Sequence, residues 1–216
     1  MTLIQLLGWI GGVTASAMWL PQLFALIRTK DTRGISWPIW VVYIGTGIGW
    51  LTHGIRLGQA FMIIANVVSL TAIFLTIRYL RRDGKIRSWV WLLPGFAFGG
   101  LLVALDGSVG SAAFGATVVS PVAVSMALQG IELMRADKVS GVSIGAWVWQ
   151  VANQLVWGAW AILTHEPGTI ISAVVSGIAA VYVLGWRLAR QWGAPPVLKP
   201  RPAPPPAPVS EETGAR

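Results

Sequence analysis

Cysteine is absent from this chain of 216 residues, so neither disulfides nor thiolate chemistry contributes to what it does. Charge is scarce too: 11% of the residues are Asp, Glu, Lys or Arg, and only eight are acidic. The two histidines have no carboxylate at ligand spacing beside them, which argues against a metal site. There is no glycine-rich phosphate loop, and no nucleophile–base pair can be assembled from spans so poor in titratable groups. The chain therefore reads as a non-enzyme that needs no cofactor. What it has in quantity is apolar sequence, 55% hydrophobic with a mean hydropathy of +0.66. That is too apolar for a soluble domain of this size and fits an all-α protein of several membrane spans.

The net charge of +8 does not point to nucleic acid, because the basic residues sit in short loops between apolar runs. Seven runs have the roughly 20 residues a helix needs to cross a bilayer: 3–27, 36–57, 60–79, 88–105, 108–134, 143–163 and 169–188. Ala15-Ser16-Ala17 has the small-x-small look of a signal cleavage site, but no Lys or Arg precedes the first run, which is read as a retained span. Fifteen of the 16 basic residues fall on one side of the seven runs, and Arg56 alone falls on the other. By the positive-inside rule the N-terminus is outside and the C-terminus cytoplasmic. After Gln191 the chain turns into a Pro-rich stretch without hydrophobic periodicity, expected as a disordered cytoplasmic tail over 191–216.

The chain also repeats. Shifted by 107 positions, Gln22 falls on Gln129, Gly34 on Gly141, Ser36 on Ser143, Trp40 on Trp147, Trp50 on Trp157 and Ser69 on Ser176. The units are 1–82 and 108–190, each of three helices, with a linking helix in 83–107 that has no counterpart. Three helices, one inverter and three more give a 3+1+3 layout, with both copies the same way up. A duplicated apolar unit with a polar seam reads as a transporter.

Pro21-Gln22 near the end of the first run, followed by the stretch to Gly34-Ile35-Ser36, resembles the PQ-loop signature of the SWEET and SemiSWEET sugar transporters. In that family a Trp and an Asn sixteen residues apart line the sugar pocket; Trp50 and Asn66 have that spacing. The resemblance covers residues 1 to about 190. It implies alternating access to a central pocket between the repeats, and a bacterial inner (cell) membrane setting is expected. A homo-oligomer is left open by the sequence, as is the identity of the sugar.

Each candidate has its own physical reason. Trp50 and Trp157 offer flat aromatic faces for the apolar C–H faces of a sugar, with Gly47, Gly49 and Gly158 leaving room for a cavity. Asn66 sits in an apolar helix, where an amide either reads hydroxyls or cross-links helices. Under the shift it meets Ala173, so Asn153, one turn before Trp157, is taken as the compensating amide. Thr46 holds the matching place before Trp50, with Ser172 and Ser176 behind.

For the gates, Pro21 and Pro38 read as kinks that are either hinges or static, with Gln22 able to bond a freed carbonyl. The second copy departs: Gln129 follows Leu128, and its helix has only Pro121, about two turns earlier. In SemiSWEETs an aromatic three residues after the pocket Trp closes the outer gate. His53 and Trp160 hold those places here, beside Arg56. The acidic residues lie in loops, in the tail or at helix ends, Asp106 and Glu166 among them, so no proton station is expected. The expected function is facilitated uniport of a small neutral sugar. The alternatives are a non-transporting receptor or scaffold of the same superfamily and a carrier of another small solute such as an amino acid.

Overall fold

The first apolar run folds as two helices rather than one, α1 (Leu3–Ala17) and α2 (Leu20–Thr29), broken at Met18 and Trp19. In this computed structural model the described residues are 1–32, 35–136, 139 and 142–199. The Gly34 and Gly141 landmarks, the Asp137-Lys138 loop and the Pro-rich stretch from 200 on lie outside them, as do the side chains of Pro21 and Gln22. The remaining helices are α3 (Trp37–Arg56), α4 (Ala60–Arg82), α5 (Leu93–Ser108), α6 (Ser111–Arg135), α7 (Ile144–Thr164) and α8 (Pro167–Gln191). A single 3₁₀ turn, Trp89–Leu92, leads into α5.

Helix starts follow the local chemistry. Thr2 and Gln5 form a capping box on α1, and the Ser143 hydroxyl accepts the Ala146 N–H at 3.3 Å to start α7. Pro38, Pro94 and Pro167 each fall in the first turn of α3, α5 and α8, where the missing N–H is one of the unpaired four anyway. Pro38 therefore initiates α3 and kinks no helix. Pro21 likewise lies in the first turn of α2, so the chain is broken before it rather than bent at it.

In the second copy α6 continues unbroken through Pro121 and Gln129. Pro121 has no N–H for the Thr117 carbonyl, and the Ser120 hydroxyl donates to that carbonyl instead, at 2.9 Å. Thus the repeat is broken in one copy and spliced in the other.

Among the described residues, four segments are long and apolar enough to cross a membrane: Ala60–Arg82, Trp89–Ser108, Ser111–Arg135 and Pro167–Gln191. Large apolar side chains such as Phe24, Ile55, Ile64, Leu155, Ile162 and Ile178 stand exposed on the outside. An all-helical protein with that surface is an integral membrane protein.

Helix starts repeat with the sequence: α3 and α7 begin 107 residues apart, and so do α4 and α8. Contacts repeat as well. α4 packs between α1 and α3, and α8 packs between α6 and α7. α5 lies against α3 and α6, and contacts of α1 with α7 and of α3 with α6 close the ring.

Two of these seams run backbone to backbone. A Cβ on Gly95 would stand 2.3 Å from the Val41 carbonyl oxygen, and one on Gly115 would stand 2.2 Å from that of Gly168. Close approach of this kind is how helices associate where lipid offers no hydrophobic drive. Gly49 is close-packed too, but against side chains: a Cβ there would meet Leu102 at 2.7 Å and Phe114 at 3.2 Å, so it seats α5 and α6 and makes no room in a cavity, contrary to expectation.

At the basic end, Asp83 accepts from the Thr32 hydroxyl at 2.7 Å and from Arg82 Nε at 2.8 Å, and Lys85 donates to the Thr32 carbonyl. In the second copy Arg187 Nε donates to the Val142 carbonyl at 2.7 Å. Past Gln191 the chain stays docked: the N–H groups of Val197 and Leu198 both donate to the Met134 carbonyl. The tail expected from 191 is therefore held at least to Leu198.

Candidate functional site

Inside the ring lies a cavity of about 230 Å³. At roughly 30 Å³ per water it has the capacity of seven or eight waters, enough for a single small solute. All seven residues expected to bind solute line it: Thr46 and Trp50 on α3, Asn66 on α4, Asn153 and Trp157 on α7, and Ser172 and Ser176 on α8. Gly47 lines it too, while Gly158 is turned to Ala173, 3.7 Å from where its Cβ would be.

Sequence reasoning missed several other members: Trp19 at the α1–α2 break, Tyr43, Ser69, Gln154 and Thr169. Two of these had a signal. Tyr43, Thr46 and Trp50 recur at helical spacing on one face, and Ser69 is the repeat partner of Ser176. Among the described residues, no charged side chain lines the cavity.

The polar groups are partly satisfied by the fold. Asn66 Nδ2 donates to the Met62 carbonyl of its own helix at 2.8 Å, so this amide is not a cross-link between helices. Thr46 and Ser69 bond back to Val42 and Ala65 in the same way. Asn153, 5% exposed, donates to the Thr14 hydroxyl at 2.6 Å and ties α7 to α1. Each therefore keeps acceptor capacity toward the cavity.

The end of the cavity away from the basic loops is plugged. Trp160 is 1% exposed and packs edge-on against Phe61 and Trp157, with ring centroids 5.5 and 5.9 Å apart. His53 is equally buried, stacked on Phe114 at 4.6 Å and edge-on to Trp50 at 5.7 Å. The two residues expected at the outer gate thus each pack on a cavity-lining indole, His53 on Trp50 and Trp160 on Trp157. Arg56 reaches past them, half exposed, to pair with Asp106 at 3.0 Å.

Two carboxylates read as loop or helix-end residues prove to be buried here. Asp106, near the end of α5, is 3% exposed and lies 3.0 Å from His53 Nδ1. Glu166, 5% exposed, lies 3.5 Å from His53 Nε2. Hydropathy along the chain does not see this, because α3, α5 and the start of α8 converge only in three dimensions. Both carboxylates keep the helix-end positions read from the sequence and neither reaches mid-span, but they are buried there rather than solvated.

Glu166 is also the N-cap of α8, accepting from the N–H groups of Gly168 and Thr169. Burial pushes its carboxyl up, but bonding to His53, Ser111 and Thr169 outweighs that and lowers it from 4.5 to about 2. A depressed carboxylate stabilises the fold above its ordinary value and loses that contribution as pH falls through its folded value. Thermal stability in detergent is thus expected to decline as pH is taken from 4.5 toward 2, and Glu166→Gln to flatten that decline while lowering stability at neutral pH. A wild-type curve superimposable on that of the variant would contradict the assignment.

Among the described residues, no group of His, Asp and Glu side chains is arranged to hold a metal ion. The chain is 28% identical over 81 residues to the sugar transporter SemiSWEET of Leptospira biflexa serovar Patoc, covering 38% of this chain and 95% of that protein. It is 31% identical over 70 residues to the sugar transporter SemiSWEET of Escherichia coli strain UMEA 3162-1, covering 32% of this chain and 79% of that one. A short relative matched over most of its own length by about a third of this chain is what a duplicated unit should produce. No protein-family profile matches the chain, and no solved structure matches it.

Proposed function

The chain belongs to the SemiSWEET family of sugar transporters, and from that premise we propose that it carries a small neutral sugar across the membrane by facilitated uniport. The cavity between the two triplets is the binding site, opened to one face and then the other. The observation that carries this reading is the lining: three indoles (Trp19, Trp50 and Trp157) and a set of hydroxyls and amides, with no charge among the described residues. Indole faces suit the C–H faces of a pyranose, and Asn66, Asn153, Thr46, Ser172 and Ser176 suit its hydroxyls. A zwitterion would leave its charges unpaired there, which disfavours an amino acid.

In this reading α1 and α2 together form one broken span, and α3 to α8 supply six more. Positive-inside asymmetry puts the basic end in the cytoplasm and the His53–Trp160 plug outside, with the N-terminus outside as well. The setting is the bacterial inner membrane. The break before Pro21 serves the inner gate, and the spliced helix at Pro121 and Gln129 is the static partner against which it moves.

Because the chain has no cysteine, Ser172→Cys gives a single thiol inside the cavity. A membrane-impermeant thiol reagent is expected to label it from either face of the bilayer, and added sugar to slow that labelling. A thiol that reacts from neither face, in protein that is folded and monodisperse, would refute the reading.

A further inference from the structure

We propose that His53, Asp106 and Glu166 form a proton-binding latch that holds the His53 end of the cavity shut while the proton is bound. The proposal rests on the alternating-access reading above.

Both ring nitrogens of His53 face a carboxylate oxygen, Nδ1 that of Asp106 at 3.0 Å and Nε2 that of Glu166 at 3.5 Å. A neutral imidazole has one N–H and can serve only one of them, leaving a lone pair aimed at the other carboxylate. An imidazolium donates to Asp106 and turns its second N–H toward Glu166, which at 3.5 Å is an ion pair and not a hydrogen bond here. Charge leads to the same state. Two carboxylates at 3% and 5% exposure are offset in part by half-exposed Arg56, and only a protonated His53 makes the group neutral. A net charge left in so dry a place is costly, and removing one partner of such a set costs more than the set contributes.

The groups facing His53 come from every helix packed on it. α3 itself supplies Arg56, bound to Asp106; α5 supplies Asp106; the start of α8 supplies Glu166; α6 supplies the uncharged Phe114. The level of α4 beside it is apolar, with Phe61 and Met62 buried. The latch therefore clamps the first triplet, the linking helix and the second triplet at one point. Its counterpart under the repeat is missing, since Gln59 stands where Glu166 would recur and Trp160 where His53 would. One proton thus controls one end of the molecule. It enters and leaves on the same side, so the latch sets the rate of opening and moves no charge across the membrane.

The test compares Ser172→Cys alone with Ser172→Cys carrying His53→Gln, each labelled in proteoliposomes by an impermeant thiol reagent from the His53 side. The ratio of the two rates at each pH cancels the ionisation of the thiol itself. With His53 present, labelling is expected to lag its His53→Gln counterpart about tenfold near pH 5.5 and to approach it near pH 8.5. Asp106→Asn serves as a second variant should His53→Gln fail to fold, and is expected to flatten the profile in the same sense. Labelling from both faces with a ratio that does not vary with pH would overturn the latch and leave the transport reading standing. Absence of labelling from either face would instead sink the transport reading.

Discussion

Trp50→Ala is expected to slow sugar exchange by about tenfold at sub-saturating sugar, and Trp157→Ala to do nearly the same. Each ring is half-buried, with one side packed in the plug and the other in the cavity lining. Losing one aromatic face from a small-solute site removes roughly 1–2 kcal/mol of binding. At about 1.4 kcal/mol per decade, that is near tenfold. Trp89→Ala is the control, because this indole is 62% exposed, carries Arg81 over its ring and does not line the cavity. Exchange should be unchanged in it. If Trp50→Ala exchanged sugar at the wild-type rate, the rings would be packing alone and the site would lie elsewhere.

The largest effect on stability is expected at Gly115. Its missing side chain lets α6 touch α8 at Gly168, where an added Cβ would meet the carbonyl oxygen at 2.2 Å and the Cα at 2.6 Å. Those are backbone atoms, so no rotamer change relieves the clash and the helices must separate. Overpacking of this kind costs roughly 1–3 kcal/mol even where side chains can adjust. Gly115→Val should therefore lower the melting temperature sharply and reduce the monodisperse fraction in detergent. Gly100 offers the contrast, since a Cβ there meets nothing within 4 Å. Gly100→Ala is expected to be neutral or stabilising by up to about 1 kcal/mol, the helix-propensity difference between the two residues. Equal melting temperatures for the two variants would contradict the described α6–α8 seam.

The shift of 107 residues made the repeated helix starts legible before any coordinates, because a duplicated unit keeps its hydrophobic runs and its turns in register. Seven residues of the cavity lining were legible for a related reason. A polar or bulky aromatic residue at mid-span, such as Asn66 or Trp157, has few places to go in an apolar helix. The prolines were harder to read. A proline one residue into a helix and a proline in mid-helix look alike in sequence, and only the backbone shows that Pro38 starts α3 while Pro121 lies within an unbroken α6.

The buried ionic group was the hardest. His53, Asp106 and Glu166 lie more than fifty residues apart in sequence, and two of them sit beside turns, where charge is ordinarily solvated. Gly49 illustrates the same limit, because whether a glycine opens a cavity or admits a helix depends on what packs against it.

The claim on which the rest turns is that the ring of helices holds one uncharged site that faces each side in turn without an ion gradient. Counterflow measures this directly. Proteoliposomes loaded with unlabelled glucose or sucrose, at equal pH and salt on both sides, are presented with the labelled sugar. Transient accumulation of label above its equilibrium level is the predicted result, driven only by unlabelled sugar leaving. Folded protein that shows no overshoot with either sugar, or that shows one only under an imposed proton gradient, would contradict the account.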